Sequence, residues 1–332
     1  MRSLPLPRMK ILLLRFSSIG DIVLTTPVAR CLKQQLGAEV HFLTKRAFST
    51  LLEPNPHVDR VFGFEKKLSE VVPALRRERY DWVLDLHHNL RSARVKWALG
   101  RPSRSFDKLN LEKWLLVHAG LDWLPDRHIV HRYIATAEHL GVRYDGLGLD
   151  YFIPETEEVD VRVLAPGVAP GGYVAFAIGA NHATKQLPVE KIAELCRRIP
   201  MPVLLLGGKA EVAAGKQIAA ASGPHVYDLC GRLSLHQSAS VVRQAAKVAT
   251  HDTGLMHVAA AFRKPIVSVW GNTVPKFGMY PFYPDGMAAN TTFEVPDLPC
   301  RPCSKIGYER CPKGHFRCMN GQDIAAIAEA LK

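Results

Sequence analysis

The sequence predicts an α/β protein built from two doubly wound units, each a parallel sheet covered by helices on both faces. Three observations predict it. Apolar runs of strand length recur along the chain, each is followed by apolar positions three and four residues apart, and the alternation halts once, at 154–172, before starting again. Strands buried on both faces read as near-continuous apolar runs, and KILLLR at 10–15, DWVLDL at 81–86 and PVLLLGG at 202–208 have that character.

In the first half, KILLLR leads through SSIGD into a helix carrying Ile22, Val23, Val28, Ala29, Leu32 and Leu36. Strands follow at AEVHFL (38–43) and RVFGF (60–64), then a helix through Val71, Val72 and Leu75, the strand DWVLDL and a helix after Asn89. Residues 154–172, PETEEVDVRVLAPGVAPGG, replace periodicity with Pro, Gly and acid, and the domain linker is read there. The second half repeats the cadence: YVAFAIG (173–179), a helix over 188–198, PVLLLGG, a helix over 210–221, HVYDL (225–229), a helix over 235–245, VATHD (248–252), a helix from Gly254 and PIVSVWG (265–271). A Pro-, Gly- and Cys-rich stretch fills 272–320, and Ile324, Ile327 and Leu331 mark a terminal helix. The expected division is therefore 9–155, a linker at 156–172, 173–320 and a C-terminal helix at 321–332. Two such units bind ligands at the carboxyl ends of their strands.

Composition narrows the classes. Of the 332 residues, 47% are hydrophobic and 22% charged, which excludes a disordered polyelectrolyte and a disulfide mini-scaffold. No apolar stretch approaches the ~20 residues of a spanning helix, and Arg15 and Asp21 follow ILLL too soon for a secretory core, so a cytoplasmic protein is expected. The net charge is +12, of which +8 falls in residues 1–150. Residues 60–104 alone hold eleven basic and five acidic residues, a field suited to phosphate or carboxylate ligands and to membrane headgroups, or else simply a solvated face. A basic nucleic-acid-binding protein is disfavoured because no aromatic residues interleave the basic ones as stacking platforms.

The common phosphate loops are absent: no G-x-G-x-x-G follows the first strand, and GKAEVAAGKQ at 208–217 lacks the P-loop pattern. HDTGLMHVAAA at 251–261 instead delivers Asp252, Thr253 and Gly254 from a strand end onto a helix amino terminus, whose free N–H groups and dipole suit a diphosphate. His257 lies one turn further on. The alternative is that Asp252 is an N-cap and His257 a half-buried helix residue. In GANHATKQLP (179–188) Lys185 can reach phosphate oxygens, or is an isolated surface lysine; in SSIGDIVLTTP (17–27) Asp21 can accept a proton from an attacking hydroxyl, or cap the helix.

Taken together, SSIGDIVLTTPV, DLHHNLRSA (85–93), GANHATKQLP, LLLGGKAE (204–211), LCGRLSL (229–235) and DTGLMHVAAA resemble glycosyltransferase family 9, the ADP-heptose:lipopolysaccharide heptosyltransferases. The resemblance spans nearly the whole chain. It implies a GT-B fold and an inverting transfer of heptose from ADP-heptose to the lipid A–Kdo inner core, needing no metal or cofactor, at the cytoplasmic face of the inner membrane, with the enzyme peripherally attached. It implies Asp21 as general base, Lys185 as donor-phosphate lysine, and Thr184, Glu211, Leu233, Asp252, Thr253, Gly254 and His257 as donor contacts. The first domain is then the acceptor-binding one, with Arg91, Ser92 and Arg94 as its candidates; Arg91 and Arg94 share a helix face. Two departures stand out: His87-His88 replaces the family's Gln-Gly on the acceptor side, and Leu187 replaces Trp in Lys-x-Trp-Pro.

Cys300, Cys303, Cys311 and Cys318 lie in a segment, LPC-x2-C…CP-x-GH-x-RC, that is similar to one in heptosyltransferase II-like sequences, where the resemblance implies no metal. Four thiols within nineteen residues suffice for a structural zinc, with His315 able to replace one, yet a redox pair or plain reduced packing residues fit the spacing too.

Overall fold

The computed structural model describes residues 8–332. Two compact units divide the chain: one runs to Lys108 and resumes at Arg127–Phe152, and the other holds Leu109–Asp126 and Ile153–Lys332.

The first unit is a five-stranded sheet of β1 (Lys10–Leu14), β2 (Glu39–Lys45), β3 (Arg60–Phe64), β4 (Trp82–Asp85) and β5 (Ser103–Ser105), in the order β3-β2-β1-β4-β5 and parallel throughout. Leu12 and Leu14 of β1 are fully buried beside Phe64 and Val83, as a strand covered on both faces requires. The helix expected from Ile22 to Leu36 is two helices, Ile19–Val23 and Thr26–Leu36. Pro27 stands in the first turn of the second, where its missing N–H is harmless, whereas inside one continuous helix it would break the ladder. The hydroxyls of Thr25 and Thr26 close the break by donating to the carbonyls of Ile22 and Val23.

The second unit is a six-stranded parallel sheet of β6 (Val174–Ala177), β7 (Val203–Leu206), β8 (Val226–Asp228), β9 (Lys247–His251), β10 (Ile266–Trp270) and β11 (Asn290–Glu294), ordered β11-β10-β9-β6-β7-β8. Counted from its own first strand this is 3-2-1-4-5-6, the dinucleotide-fold order. The edge strands β5 and β11 were not legible as strands. Their residues, SRS and NTTFE, are mostly exposed and lack the apolar run of a central strand.

Two stretches belong elsewhere than the sequence suggested. Residues 109–126, expected inside an unbroken 9–155 domain, group with the second unit because Leu109 and Leu124 pack on Phe277. The helix there, Asn110–Ala119, has no fully buried residue. Residues read as a linker are also docked: Val159 N–H donates to Ser240 Oγ, Glu158 pairs with Arg243 at 2.7 Å, and Gly171 N–H donates to Gln244 O, which fastens the segment along the Leu235–Gln244 helix.

At the end of β9, His251 is fully buried, and its Nε2 accepts the Leu187 N–H at 3.0 Å, tying the 179–187 loop to the strand. Burial pushes its pKa down to about 4, so the folded protein holds it neutral. An unfolded histidine titrates near 6.5, so the unfolded chain binds the proton first and stability falls as pH drops from ~6.5 toward 4. Acidification from pH 6.5 to 5 should therefore cost about 2 kcal/mol through this residue. Thermal melting across that range should show a falling midpoint, and His251→Gln, which keeps an acceptor for Leu187, should flatten the slope. An unchanged slope would mean that other groups carry the dependence.

Candidate active site

Where strand order reverses beside the first strand, the connections leave in opposite directions and open a crevice at the carboxyl ends. In the first unit that point lies between β1 and β4. In the second it lies between β6 and β9.

Beyond β1, Asp21 occupies the third position of the Ile19–Val23 helix, so it is not the N-cap; Ser18 is. One carboxylate oxygen accepts from the Ser18 N–H (3.1 Å) and hydroxyl (2.9 Å), and the other pairs with Arg15 Nη2 at 2.6 Å. Arg15 is itself pinned by donating to Leu86 O, Tyr133 Oη and Ser17 O. Burial pushes the Asp21 pKa up, but the Arg15 charge and the Ser18 hydrogen bonds outweigh it and hold the carboxyl below its usual range. The result is an ionised, oriented carboxylate. The spacing of the sequence pointed to Asp21, whereas Arg15, from the end of the strand, was not recognised as its partner.

Beyond β4, buried Asp85 organises the next loop. Its Oδ1 accepts the N–H groups of His87 and His88, and its Oδ2 accepts the Ser92 hydroxyl at 2.8 Å and meets Lys96 Nζ at 3.1 Å. Ser92, expected among the acceptor contacts, is fully buried and completes a capping box with Asn89, so it holds the start of the Leu90–Leu99 helix. Arg91 and Arg94 are exposed on that helix. The same helix leaves Leu90 82% and Trp97 87% exposed. His87 packs against Phe16 with ring centroids 4.7 Å apart and planes tilted by 43°; burial and then Arg15 push its pKa down to about 4, so it is neutral at pH 7.

In the second unit the two loops of the switch point meet. Lys185 Nζ lies 2.6 Å from Asp252 Oδ2, which also accepts the Thr273 hydroxyl at 2.9 Å. Lys185 is thus neither isolated nor on the open surface, since its side chain is 15% exposed. Thr253, not Asp252, caps the Gly254–Ala261 helix: its Oγ1 accepts the Leu255 N–H at 3.1 Å and keeps its own proton to donate. Glu211 accepts the Gly208 N–H at 2.8 Å and lies against the ends of β6 and β7, where a Cβ on Gly179 or Gly207 would come within 2.7 Å or 2.6 Å of its side chain. Leu233 is half-buried beyond β8.

Two expected donor contacts are placed differently. His257 is 2% exposed, buried within the packing of the Gly254–Ala261 helix. Thr184 is also buried; its hydroxyl donates to Tyr308 O at 3.0 Å and accepts the Tyr308 N–H at 2.8 Å, bracing a distant loop beside Lys185. Among the described residues, one trio of possible ligand atoms lies within 4.8 Å of one another, those of Glu39, His41 and Glu78, but Lys10 already pairs with both carboxylates. No helix among the described residues is long and apolar enough to cross a membrane.

Chemically, the first unit offers a proton acceptor held by an arginine, and the second an anion site made of an ammonium, a hydroxyl and a helix amino terminus. The lipopolysaccharide heptosyltransferase 1 of Pseudomonas aeruginosa is 27% identical over 325 residues, covering 90% of this chain and 86% of that one. Among solved structures, a family 9 glycosyltransferase from Veillonella parvula superposes with a TM-score of 0.77 at 20% identity, covering 98% and 97% of the two chains. The ADP-heptose lipopolysaccharide heptosyltransferase II of Escherichia coli superposes at 0.70 and 22%, covering 97% and 100%. The fold is therefore the two-unit GT-B class. Residues 69–308, well over half the chain and parts of both units, match glycosyltransferase family 9 (heptosyltransferase), and this chain belongs to that family.

Proposed function

We propose that this glycosyltransferase moves heptose from ADP-heptose to the inner core of lipopolysaccharide, with a lipid A–Kdo acceptor, and inverts the anomeric configuration. The observation that carries the reading is the Lys185–Asp252–Thr273 set at the second switch point, because a fixed ammonium beside a helix amino terminus suits a leaving nucleoside diphosphate. The relatives described as lipopolysaccharide heptosyltransferases support the choice of donor and acceptor.

An acceptor hydroxyl attacks the anomeric carbon, its proton passes to the Asp21 carboxylate, and the bond from that carbon to the diphosphate oxygen breaks to release ADP. A single displacement of this kind inverts the centre. Arg15 keeps Asp21 ionised before the reaction. Charge building on the leaving phosphate is met by Lys185, the Thr253 hydroxyl and the N–H groups from Gly254 onward. Asp252 holds the ammonium in place until the diphosphate shares it. Glu211 and Leu233 serve the nucleoside. No step calls on a metal ion or cofactor.

The acceptor side is assigned to the Leu90–Leu99 helix. Arg91 and Arg94 suit its phosphates and carboxylates, and Leu90 and Trp97 among them suit peripheral attachment to the anionic cytoplasmic face of the inner membrane. His87 and His88 favour a second reading in which a family 9 enzyme acts on a different acceptor. Assay with ADP-heptose against a panel of truncated cores separates the two readings.

Asp21→Asn should lower turnover by roughly 10²–10⁴ while ADP affinity, read by calorimetry, stays near wild type; full turnover in a folded variant would remove Asp21 as the base. Lys185→Ala and Thr253→Val should weaken both ADP binding and turnover, since both groups meet the diphosphate before and during transfer. Unchanged ADP affinity in both would move the donor site. Arg91→Glu with Arg94→Glu should raise acceptor KM and release the protein from anionic vesicles, more strongly at low salt because exposed charges are screened over ~10 Å at 0.1 M, and Leu90→Ser with Trp97→Ser should reduce vesicle binding at any salt. Wild-type vesicle binding in both double variants would place the membrane face elsewhere.

A further inference from the structure

Cys300, Cys303, Cys311 and Cys318 take no part in the transfer, yet they surround a single cavity of about 10 Å³, room for one water-sized body, together with His315 and Asn272. All four are free thiols, three half-buried and Cys318 buried. Asn272 is 1% exposed, and neither its Oδ1 nor its Nδ2 has a hydrogen-bond partner. A buried amide with both ends unmet is rare and asks for a group that it can bind.

We propose that these four thiolates bind one thiophilic divalent metal ion, with zinc as the chemically fitting case, as a structural staple beside the donor site. Four sulfurs from one short stretch match the ligand number of a closed tetrahedral site. His315 is excluded as a ligand by its hydrogen bonding. Its Nδ1 accepts the Arg317 N–H at 3.1 Å, so in the neutral ring Nε2 carries the hydrogen, and it lies 3.8 Å from Cys300 Sγ. It can therefore donate to a ligand sulfur, and the unpartnered Asn272 Nδ2 lines the same cavity as a second N–H donor for thiolate charge around such an ion. Lys313, also lining the cavity, adds a cation. No three of the sulfurs lie within 4.8 Å of one another, so binding draws the loop inward.

The consequence reaches the donor site through covalent neighbours of the ligands. Arg301, between two of the cysteines, donates to Gly271 O at 2.6 Å and Thr273 O at 2.9 Å, and Thr273 is the hydroxyl that holds Asp252. Tyr308, between Cys303 and Cys311, grips Thr184 beside Lys185. Contracting the loop around an ion fixes both supports.

Metal content of reduced protein, purified without metal-affinity resin, is measured by plasma mass spectrometry, and a mercurial titration follows metal release with a chromophoric indicator. One equivalent of zinc, or of another thiophilic ion in its place, is expected per chain, released as the thiols are blocked. Cobalt added to metal-stripped wild type should develop sulfur-to-cobalt charge-transfer bands and tetrahedral d–d bands. Cys303→Ser should lose the ion and Cys31→Ala should keep it; removal should lower the melting temperature and weaken ADP binding several-fold. Substoichiometric metal in the wild type, together with no cobalt bands and no rise in melting temperature on adding zinc, overturns the proposal, as does a disulfide among the four. These readouts need no sugar transfer, so they fail or succeed independently of the proposed reaction.

Discussion

The constraint on which this protein depends is the burial of both faces of two parallel sheets. Once helices cover those faces, the polar groups that perform chemistry are left to the strand ends, and reversal of strand order beside β1 and β6 leaves a crevice there. Asp21 and His87 follow the two strands at the first reversal, and Lys185 and Asp252 follow the two at the second. The catalytic candidates thus stand where connections diverge, on turns anchored to buried strands such as β1 and β9.

Every charged group in these turns is held by another. Arg15 orients Asp21, Asp252 orients Lys185, and Asp85 gathers two backbone N–H groups, a serine and a lysine at the foot of the Leu90–Leu99 helix. Such pairs are poor sources of net stability, because removing charges from water offsets their attraction. What they supply is orientation: a carboxylate and an ammonium already held in place need little rearrangement when charge nearby changes.

A collar of irregular chain supports the second site from outside the sheet. Arg301 reaches into the turn after β10, Tyr308 clamps Thr184, and Gly271 leaves no room for a side chain, since a Cβ there would stand 2.6 Å from Thr184 O. The 272–320 segment, featureless by periodicity, therefore sets the position of Lys185 and Asp252 through second-hand contacts. Its cysteines lie in the middle of that bracing.

The sequence by itself determined the two-unit parallel α/β class, nine of the strands, and the placing of Asp21, Lys185 and Asp252–Gly254 at strand ends, because buried parallel strands and helix amino termini are written in local pattern. Tertiary structure alone decided the rest. The edge strands β5 and β11 exist through backbone pairing that exposed polar residues do not advertise, and residues 109–126 cross to the second unit through Leu109, Leu124 and Phe277, distant in sequence. The partners Arg15 and Thr273 were invisible for the same reason, as was the burial of Ser92, Thr184 and His257. Local periodicity reports which face of an element is apolar, but which polar side chain meets which, and which is left to a ligand, depends on long-range packing that only the folded chain displays.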